Sequence, residues 1–352
     1  MKIGLDGFAL PGPRRTVLQT LDFVHDYGLD GAFFASPLVL SPTLDLGELR
    51  DVRSRADELG LYLELGVGLV NPKHFATSTA IVQLGDGDYR RGLERQIRAS
   101  QAIGCTELRS ALGSEADRFD GSLAWTEQLQ ATRAFLASLA PLLRDLGCRL
   151  NLETHGDTTT FELVRLAEAV GPDVVGICLD TANVLCRGEE PVAAARRAAP
   201  YVHQTHTKDA IVYFVDDGLL RQTRPCGEGV IPWDVLLPIL GQHAPDLHLS
   251  IEDHKGLFGM RIYDPAWLAL HPDLTASDLA AVVRLARVCE ARVGRGELVG
   301  PTEYEAIPWE QQATARLRAT VQHLRDVLQT HGLAGASQAS ASHVQAAADT
   351  PQ

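Results

Sequence analysis

Short apolar runs alternate with helix-like segments along most of the chain, and this alternation constrains the fold more than any other feature. Between the runs, apolar residues recur with the spacing of amphipathic helices, and several of these segments end at a glycine, as helices commonly do. Eight runs have the character of strands: KIGLDGF (2–8), GAFFAS (31–36), LYLELGVG (61–68), TELRSAL (106–112), RLNLETH (149–155), VVGICLD (174–180), VHQTHTK (202–208) and LHLSIED (247–253). Strands this apolar are typical of parallel sheets covered by helices. The pattern therefore predicts an α/β fold, a (β/α)8 TIM barrel over residues 1–295.

The segments that follow the seventh and eighth runs are longer than ordinary connections. They read FVDDGLLRQTRPCGEGVIPWD and KGLFGMRIYDPAWLALHPDLT, and we expect long loops that shape a pocket or a lid. The alternative fold is an open doubly wound sheet, but its glycine-rich turn G-x-G-x-x-G does not follow the first run. Beyond the barrel, we expect a C-terminal helical extension over residues 296–333 and a disordered, Ala/Ser/Gln-rich tail over residues 334–352.

Charge and composition narrow the range of functions. The net charge of −13 disfavours extended binding to nucleic acid or to anionic membranes. The sequence contains no apolar run of about 18 residues and no secretory signal, and its six cysteines form no C-x-x-C pair. We therefore expect a cytoplasmic protein that acts on a small molecule. The helix expected over residues 309–331 could hold a homodimer together.

An acidic or imidazole side chain ends each of the last four apolar runs: Glu153, Asp180, His206 and Glu252. Because the carboxyl ends of consecutive barrel strands meet at one mouth, we expect these four side chains to converge. Oxygen and imidazole ligands suit a divalent metal ion. Asp180 could instead cap the next helix, and salt bridges could satisfy the two glutamates. A divalent cation resolves the crowding of like charge most simply, so we predict one metal site here.

Two further side chains share the predicted faces of these strands. Because side chains alternate along a strand, His155 projects to the same side as Glu153, and Lys208 to the same side as His206. His155 and Lys208 are therefore candidate substrate contacts. Lys208 could instead pair with a nearby carboxylate.

The third and fourth runs offer other candidates. Arg109 lies near the end of the fourth run, where it could hold a substrate carboxylate or phosphate. It could equally pair with Glu64 or Glu107 in the barrel wall. Glu64, near the end of the third run, is a further candidate substrate contact.

The motifs ETH, GICLDTAN, HTKD, GEG and SIED together resemble the xylose isomerase-like barrel superfamily, and within it the D-tagatose 3-epimerase-like sugar isomerases and epimerases. The resemblance covers roughly residues 2–292. It implies one divalent metal ion, Mn²⁺ or else Mg²⁺, Co²⁺, Zn²⁺ or Fe²⁺. By this likeness the ligands are Glu153, Asp180, His206 and Glu252, and the two glutamates are also the acid/base pair. Many such epimerases carry a substrate-contacting histidine where this chain has Asn183, so Asn183 is a candidate substrate contact with an altered role.

The reaction that we predict is isomerisation or epimerisation of a small keto sugar or sugar acid. A metal held by adjacent carbonyl and hydroxyl oxygens stabilises an enediolate, and carboxylates move the proton. The alternative is a decarboxylase (lyase) that forms a similar enolate by removing CO₂ from a 3-oxo sugar acid. An endonuclease acting at abasic sites in DNA is disfavoured by the acidic charge, and a barrel that binds without turnover is the remaining alternative.

Overall fold

The structure is a computed structural model that describes residues 1–335. Eight of its strands form a closed parallel barrel in the order β1-β10-β7-β6-β5-β4-β3-β2, which confirms the predicted TIM barrel. The strands of the described residues are β1 (Lys2–Asp6), β2 (Gly31–Phe34), β3 (Tyr62–Gly66), β4 (Glu107–Ser110), β5 (Arg149–Glu153), β6 (Val175–Asp180), β7 (Val202–Thr207), β8 (Asp209–Val215), β9 (Gly218–Arg224), β10 (His248–Ile251) and β11 (Leu257–Met260).

Helices surround the barrel. They are α1 (Val17–Asp26), α2 (Pro37–Leu40), α3 (Leu46–Glu58), α4 (Thr79–Leu84), α5 (Tyr89–Gln101), α6 (Glu115–Arg118), α7 (Trp125–Leu146), α8 (Thr160–Val170), α9 (Pro191–Ala198), α10 (Trp233–His243), α11 (Pro265–Ala269), α12 (Ala276–Gly294), α13 (Pro301–Ala306) and α14 (Trp309–Thr330). Short 3₁₀ helices cover Pro72–Thr77, Asn183–Arg187 and Ala199–Tyr201. Within residues 1–335, no helix has both the length and the apolar content that crossing a membrane requires.

The expected long loops after the seventh and eighth strands are instead largely a small sheet. Strands β8 and β9 form an antiparallel hairpin, and β11, which follows the eighth barrel strand β10, pairs with β9. The hairpin turns at Asp216 and Asp217, where Val215 pairs with Gly218, and Gly218 has a φ of 149°. The prediction of loops was wrong because it overlooked a compact turn between two β-rich runs, which is a hairpin signal.

The carboxyl ends of β4, β5 and β7 stand above a polar layer inside the barrel. Asn151 donates to Glu107 Oε2 at 2.8 Å and to Gln204 Oε1 at 3.1 Å, and Arg149 donates to Glu107 Oε1 at 2.7 Å. Leu150 and Leu152 alternate with these residues on β5 and are fully buried. This alternation directs Glu153, the next inward-facing residue of β5, into the mouth of the barrel.

The C-terminal helix α14 packs along the outside of the barrel. Near its middle, Arg316 donates to Asp253 at 2.8 Å, and both residues are buried. At the opposite end of the barrel, the amino group of Met1 donates to the carbonyl oxygens of Pro245 and Leu333. The predicted division between barrel and extension at residues 295 and 296 stays a prediction. Of the predicted disordered tail, residues 336–352 lie outside the described residues.

We expect Arg316→Met to lower the free energy of unfolding by about 3–5 kcal/mol, because it leaves the Asp253 carboxylate buried without its partner. The measurement is chemical denaturation of the purified protein. Arg318→Met, on the exposed side of the same helix, is the control and should change stability by less than about 0.5 kcal/mol. Equal stability of the two variants would show that the ion pair does not anchor α14.

Candidate metal centre

Five acidic or imidazole groups meet at the carboxyl end of the barrel. Asp6, Glu153 and Asp180 are the last residues of β1, β5 and β6. His206 lies one residue before the end of β7, opposite Asp180, and Glu252 directly follows β10. Glu153 and Asp180 are fully buried, and His206 and Asp6 are nearly so. The structure thus brings together all four predicted ligands and adds Asp6.

His206 is the centre of this cluster. Its Nδ1 lies 2.9 Å from Glu153 Oε1 and 3.2 Å from Glu252 Oε2, while its Nε2 lies 3.6 Å from Asp6 Oδ2. Two sets of three side chains have potential ligand atoms within 4.8 Å of one another. One set is Asp6, His206 and Glu252, and the other is Glu153, Asp180 and Glu252. Because Glu252 belongs to both sets, the cluster is continuous.

Two basic side chains contact the carboxylates directly. Arg109 donates through Nε, at 2.5 Å, and through Nη2 to Glu153 Oε2. Lys208 Nζ lies 3.0 Å from Asp180 Oδ2 and 2.8 Å from Glu252 Oε2. Arg109 therefore pairs with a predicted metal ligand and with neither of the barrel-wall glutamates considered from the sequence.

Lys208 also contacts an imidazole. Its Nζ lies 3.1 Å from His254 Nε2, and His254 Nδ1 lies 2.8 Å from the carbonyl oxygen of Lys255. A carbonyl oxygen only accepts, so Nδ1 carries the proton and Nε2 accepts from the ammonium group. His254 is therefore neutral in this arrangement, consistent with a pKa that burial and the nearby Lys208 charge lower.

The charges of the cluster are strongly interdependent. Burial opposes ionisation of Glu153, but Arg109 and His206 outweigh it and hold the pKa of this carboxyl below its ordinary value. Burial likewise opposes ionisation of Glu252, where Lys208 and His206 lower the pKa. For Asp6, burial dominates and raises the pKa to about 6. The two glutamates therefore remain anionic, as carboxylate ligands of a cation must be.

The donor set fits a divalent metal ion. Asp180 Oδ2 and Glu252 Oε2 are buried and, within residues 1–335, face the charge of Lys208 without a hydrogen bond of good geometry, and buried His206 Nε2 makes no hydrogen bond there. Asp180 Oδ1 accepts the backbone N–H groups of Ala182 and Asn183, each at 3.0 Å. The capping role considered for Asp180 thus occupies one oxygen, while the other faces Lys208 and the cluster, where it could bind a cation. Carboxylate oxygens with one imidazole suit a hard or borderline divalent cation.

The HTKD and GEG motifs are joined by Asp209. Its carboxylate accepts backbone N–H groups from Gly227, Gly229 and Ile231, and the indole N–H of Trp233 at 3.0 Å. Asp209 therefore fixes the GEG loop against the start of β8. Its neighbour Lys208 is held at the mouth as a result.

The other predicted substrate contacts have different surroundings. His155 donates from Nδ1 to the carbonyl oxygen of Gly113 at 2.9 Å. Asn183 accepts from Arg221 Nη2. Glu64 is not part of the cluster, because it accepts from Ser250 and contacts His248 at 3.0 Å near the start of β10.

Two side chains at the mouth were not identified as site residues from the sequence. Asp6 ends KIGLD as Asp180 ends VVGICLD, so the strand-end signal was present but was applied only to the last four runs. Arg221 lies on β9, in a segment that was interpreted as a loop. Without the hairpin, the direction of its side chain was not predictable.

Comparisons with known proteins agree with this architecture. The family model described as xylose isomerase-like TIM barrel matches residues 21–270. The uncharacterized protein YihM of Escherichia coli is 28% identical over 133 residues, which are 37% of this chain and 40% of YihM. The 3-oxo-isoapionate decarboxylase of Pectobacterium atrosepticum is 26% identical over 222 residues, which are 62% of this chain and 70% of that protein.

Among solved structures, an L-ribulose 3-epimerase superposes with a TM-score of 0.54 at 20% identity, covering 87% of this chain and 99% of the epimerase. At this identity the likeness shows the fold alone. The chain spans 40% of the length of YihM. The comparisons therefore establish the fold and the family of this chain.

Proposed function

Since the chain belongs to the xylose isomerase-like TIM barrel family, we propose that it is a divalent-metal-dependent carbon–carbon lyase that decarboxylates a small 3-oxo sugar acid. The observation that carries this proposal is the pair of cations, Arg109 and Lys208, in direct contact with the carboxylates of the cluster. The similarity to a 3-oxo-isoapionate decarboxylase supports the same reaction class. The proposed metal ligands are Glu153, Asp180, His206 and Glu252, with Mn²⁺ as the first metal to test.

The positive charges at the mouth suit a reaction in which negative charge moves from a carboxylate group to a neighbouring oxygen. Decarboxylation breaks the bond to the carboxyl carbon, and the electron pair passes into the neighbouring 3-oxo group as an enolate. A divalent cation, when bound, withdraws electron density from substrate oxygens and so stabilises such charge. Arg109 and Lys208 supply further positive charge within reach of the same oxygens, in a buried site where electrostatic interactions are strong.

The anionic state of both glutamates favours decarboxylation over epimerisation. An epimerase needs two groups that exchange the roles of base and acid, whereas a decarboxylase needs one proton delivered to the carbon that carried the carboxyl group. Arg109 holds Glu153 as an anion by donating twice to one of its oxygens. Lys208 and His206 hold Glu252 as an anion as well, so it has no proton to give, and we assign proton delivery to the ammonium group of Lys208 that contacts it.

A sugar isomerase or 3-epimerase is the second candidate, because Glu153 and Glu252 both contact His206 and could act on a substrate from two sides. L-ribulose 3-epimerase shares the fold and is consistent with this candidate. Under it, the two glutamates form the acid/base pair, with the same metal ligands. His155 and Asn183 are proposed substrate contacts under either candidate.

The two candidates predict different products in one experiment. The Mn²⁺-loaded protein is incubated in D₂O with a panel of keto sugars and 3-oxo sugar acids, and NMR spectra and CO₂ release are followed together. We expect CO₂ release with deuterium at the carbon that carried the carboxyl group. Deuterium next to the carbonyl group without CO₂ would establish an isomerase or epimerase instead. Glu107→Gln, in the polar layer below the mouth, is the control and should keep turnover within about threefold.

A further inference from the structure

The central strand of the small sheet carries a buried arginine without an acidic partner. Arg221 is fully buried. Its Nη2 donates to the side-chain oxygen of Asn183, whereas Nη1 and Nε donate to no group within residues 1–335. Among the same residues, no carboxylate forms an ion pair with it. Its only hydrogen-bond acceptor in this part of the chain is therefore a neutral amide.

The alternation of β9 directs Arg221 towards the mouth of the barrel. Thr223, two residues later on the same face, donates to the carbonyl oxygen of His254 beside the mouth. Gln222, on the opposite face, donates to the carbonyl oxygen of Pro301 and to Glu305 at the helical extension. The sheet therefore presents Arg221 to the site and Gln222 to the periphery.

The surroundings of the guanidinium group form part of the site. Phe258, its cross-strand neighbour on β11, has its ring centroid 4.6 Å from Arg221 Cζ. A side chain added at Gly156, directly after His155, would lie 3.7 Å from the ring of Phe258. Asn183 follows β6 and its backbone N–H donates to Asp180 Oδ1. Arg221 thus lies between the end of β6 and an aromatic ring that reaches the end of β5.

A buried guanidinium group without a counter-ion is energetically costly, because burial removes its hydration and no carboxylate replaces it. Most of the other charged groups of the mouth compensate one another: Arg109 pairs with Glu153, and Lys208 with Asp180 and Glu252. An anion that enters from solvent is the partner that Arg221 lacks. Guanidinium groups bind carboxylates through short, charge-assisted hydrogen bonds.

We propose that Arg221 recognises the carboxylate group of the substrate and makes the site selective for sugar acids over neutral sugars. This inference rests on the proposed function, because it names the group of the 3-oxo sugar acid that the small sheet binds. Arg221 Nη1 donates to the carboxylate, while Asn183 holds Nη2 and Phe258 packs against the guanidinium plane. The small sheet is thereby a specificity element.

The proposed role of Arg221 predicts a larger effect of its substitution on KM than on kcat. The carboxylate still carries most of its negative charge as the bond begins to break, so its interaction with Arg221 is similar in the bound substrate and in the transition state. Binding that is made in the ground state and not strengthened in the transition state affects KM more than kcat. Arg221→Gln should therefore raise KM about 10–100-fold, the range expected when one charge-assisted hydrogen-bonded contact is lost, and change kcat by less than about threefold.

Binding of an unreactive probe tests the inference without turnover. Isothermal titration calorimetry of the Mg²⁺-loaded protein compares D-erythronate, a four-carbon sugar acid, with the neutral polyol erythritol. We expect the wild-type protein to bind erythronate at least tenfold more tightly. Arg221→Gln should weaken erythronate binding about 10–100-fold and erythritol binding less than threefold. Arg221→Lys, which keeps the charge, should recover part of the affinity for the acid.

Arg224→Gln is the matched control. Arg224 is equally buried on the same strand, but it donates to Gln222 and to the carbonyl oxygen of Val299, away from the mouth. It should leave the preference for erythronate unchanged. The inference is overturned if wild-type protein shows no preference for the acid. It is also overturned if folded Arg221→Gln, checked by circular dichroism, keeps that preference.

The role of Arg221 and the decarboxylase activity can fail independently in these experiments. Erythronate binding that depends on Arg221, without CO₂ release from any 3-oxo sugar acid, would retain the carboxylate site and reject the decarboxylase. CO₂ release with an unchanged KM in Arg221→Gln would reject the carboxylate role and retain the decarboxylase.

Discussion

Glu153→Gln should lower turnover by at least about 1,000-fold, equivalent to about 4 kcal/mol of transition-state stabilisation. The substitution preserves the size of the side chain and one carbonyl oxygen, but it removes the negative charge that faces both Arg109 and His206. It therefore removes the charge of a proposed metal ligand and leaves the partly buried Arg109 guanidinium beside a neutral amide. The measurement is kcat of CO₂ release for Mn²⁺-loaded wild type and variant.

The control for this prediction is Glu107→Gln, which makes the same chemical change on the neighbouring strand β4. Glu107 accepts from Arg149 and Asn151 in the polar layer of the barrel and contacts none of the five groups of the cluster within the described residues. Full activity of Glu153→Gln would remove Glu153 from the mechanism. Comparable losses in both variants would mean that the effect is one of barrel stability.

Much of the barrel was predictable because its signals are local. Each strand is a short apolar run, and each strand end at the mouth is a change from apolar to polar side chains. Once eight parallel strands close into a barrel, those ends must meet, so the proximity of Glu153, Asp180, His206 and Glu252 follows from topology. The position of Asp6 in the same cluster follows from closure as well, since β1 pairs with β10.

What the sequence did not provide was the pairing of side chains across the mouth. Arg109 could reach several carboxylates, and only the three-dimensional arrangement selects Glu153 over Glu64 and Glu107. Glu64 was predicted near the substrate, yet its carboxylate contacts His248 and Ser250, because a long side chain can turn towards either end of the barrel interior. The position of a residue on its strand fixes its Cα atom, but the groups that contact its side chain determine where the charged end lies.

The main error in the predicted fold was to expect loops where the small sheet lies, and this error hid Arg221 as a side chain of the mouth. When the segment after β7 is interpreted as a loop, the GEG motif is its only feature that points to a functional site. As a hairpin with β11 on its edge, it has two faces, and one of them places Arg221 beside Asn183. The pairing of β9 with β11 joins segments from two different connections, so it depends on the closed barrel that brings those connections together.

Substitution of Asp180 should have a large effect on metal affinity. We expect Asp180→Asn to weaken Mn²⁺ binding by at least about 100-fold, because the variant keeps an oxygen that can accept the N–H groups of Ala182 and Asn183 but replaces the anionic Oδ2 with an amide. Isothermal titration calorimetry with MnCl₂ after chelation and desalting measures the affinity. In wild type, free Mn²⁺ at about 100 times its Kd should raise the free energy of unfolding by about 2.7 kcal/mol.

Stability without metal separates the two roles of Asp180. In chelator, Asp180→Asn keeps the capping oxygen, and Lys208 loses its contact with Asp180 but keeps its ion pair with Glu252, so variant and wild type should unfold nearly alike and differ clearly only when Mn²⁺ is present. Asp173→Asn, an exposed change at the opposite end of β6, should bind Mn²⁺ as wild type does. Retention of wild-type Mn²⁺ affinity by Asp180→Asn would remove Asp180 from the ligand set. The cation would then have to rely on the set formed by Asp6, His206 and Glu252, in which Asp6 is protonated more readily than an ordinary aspartate.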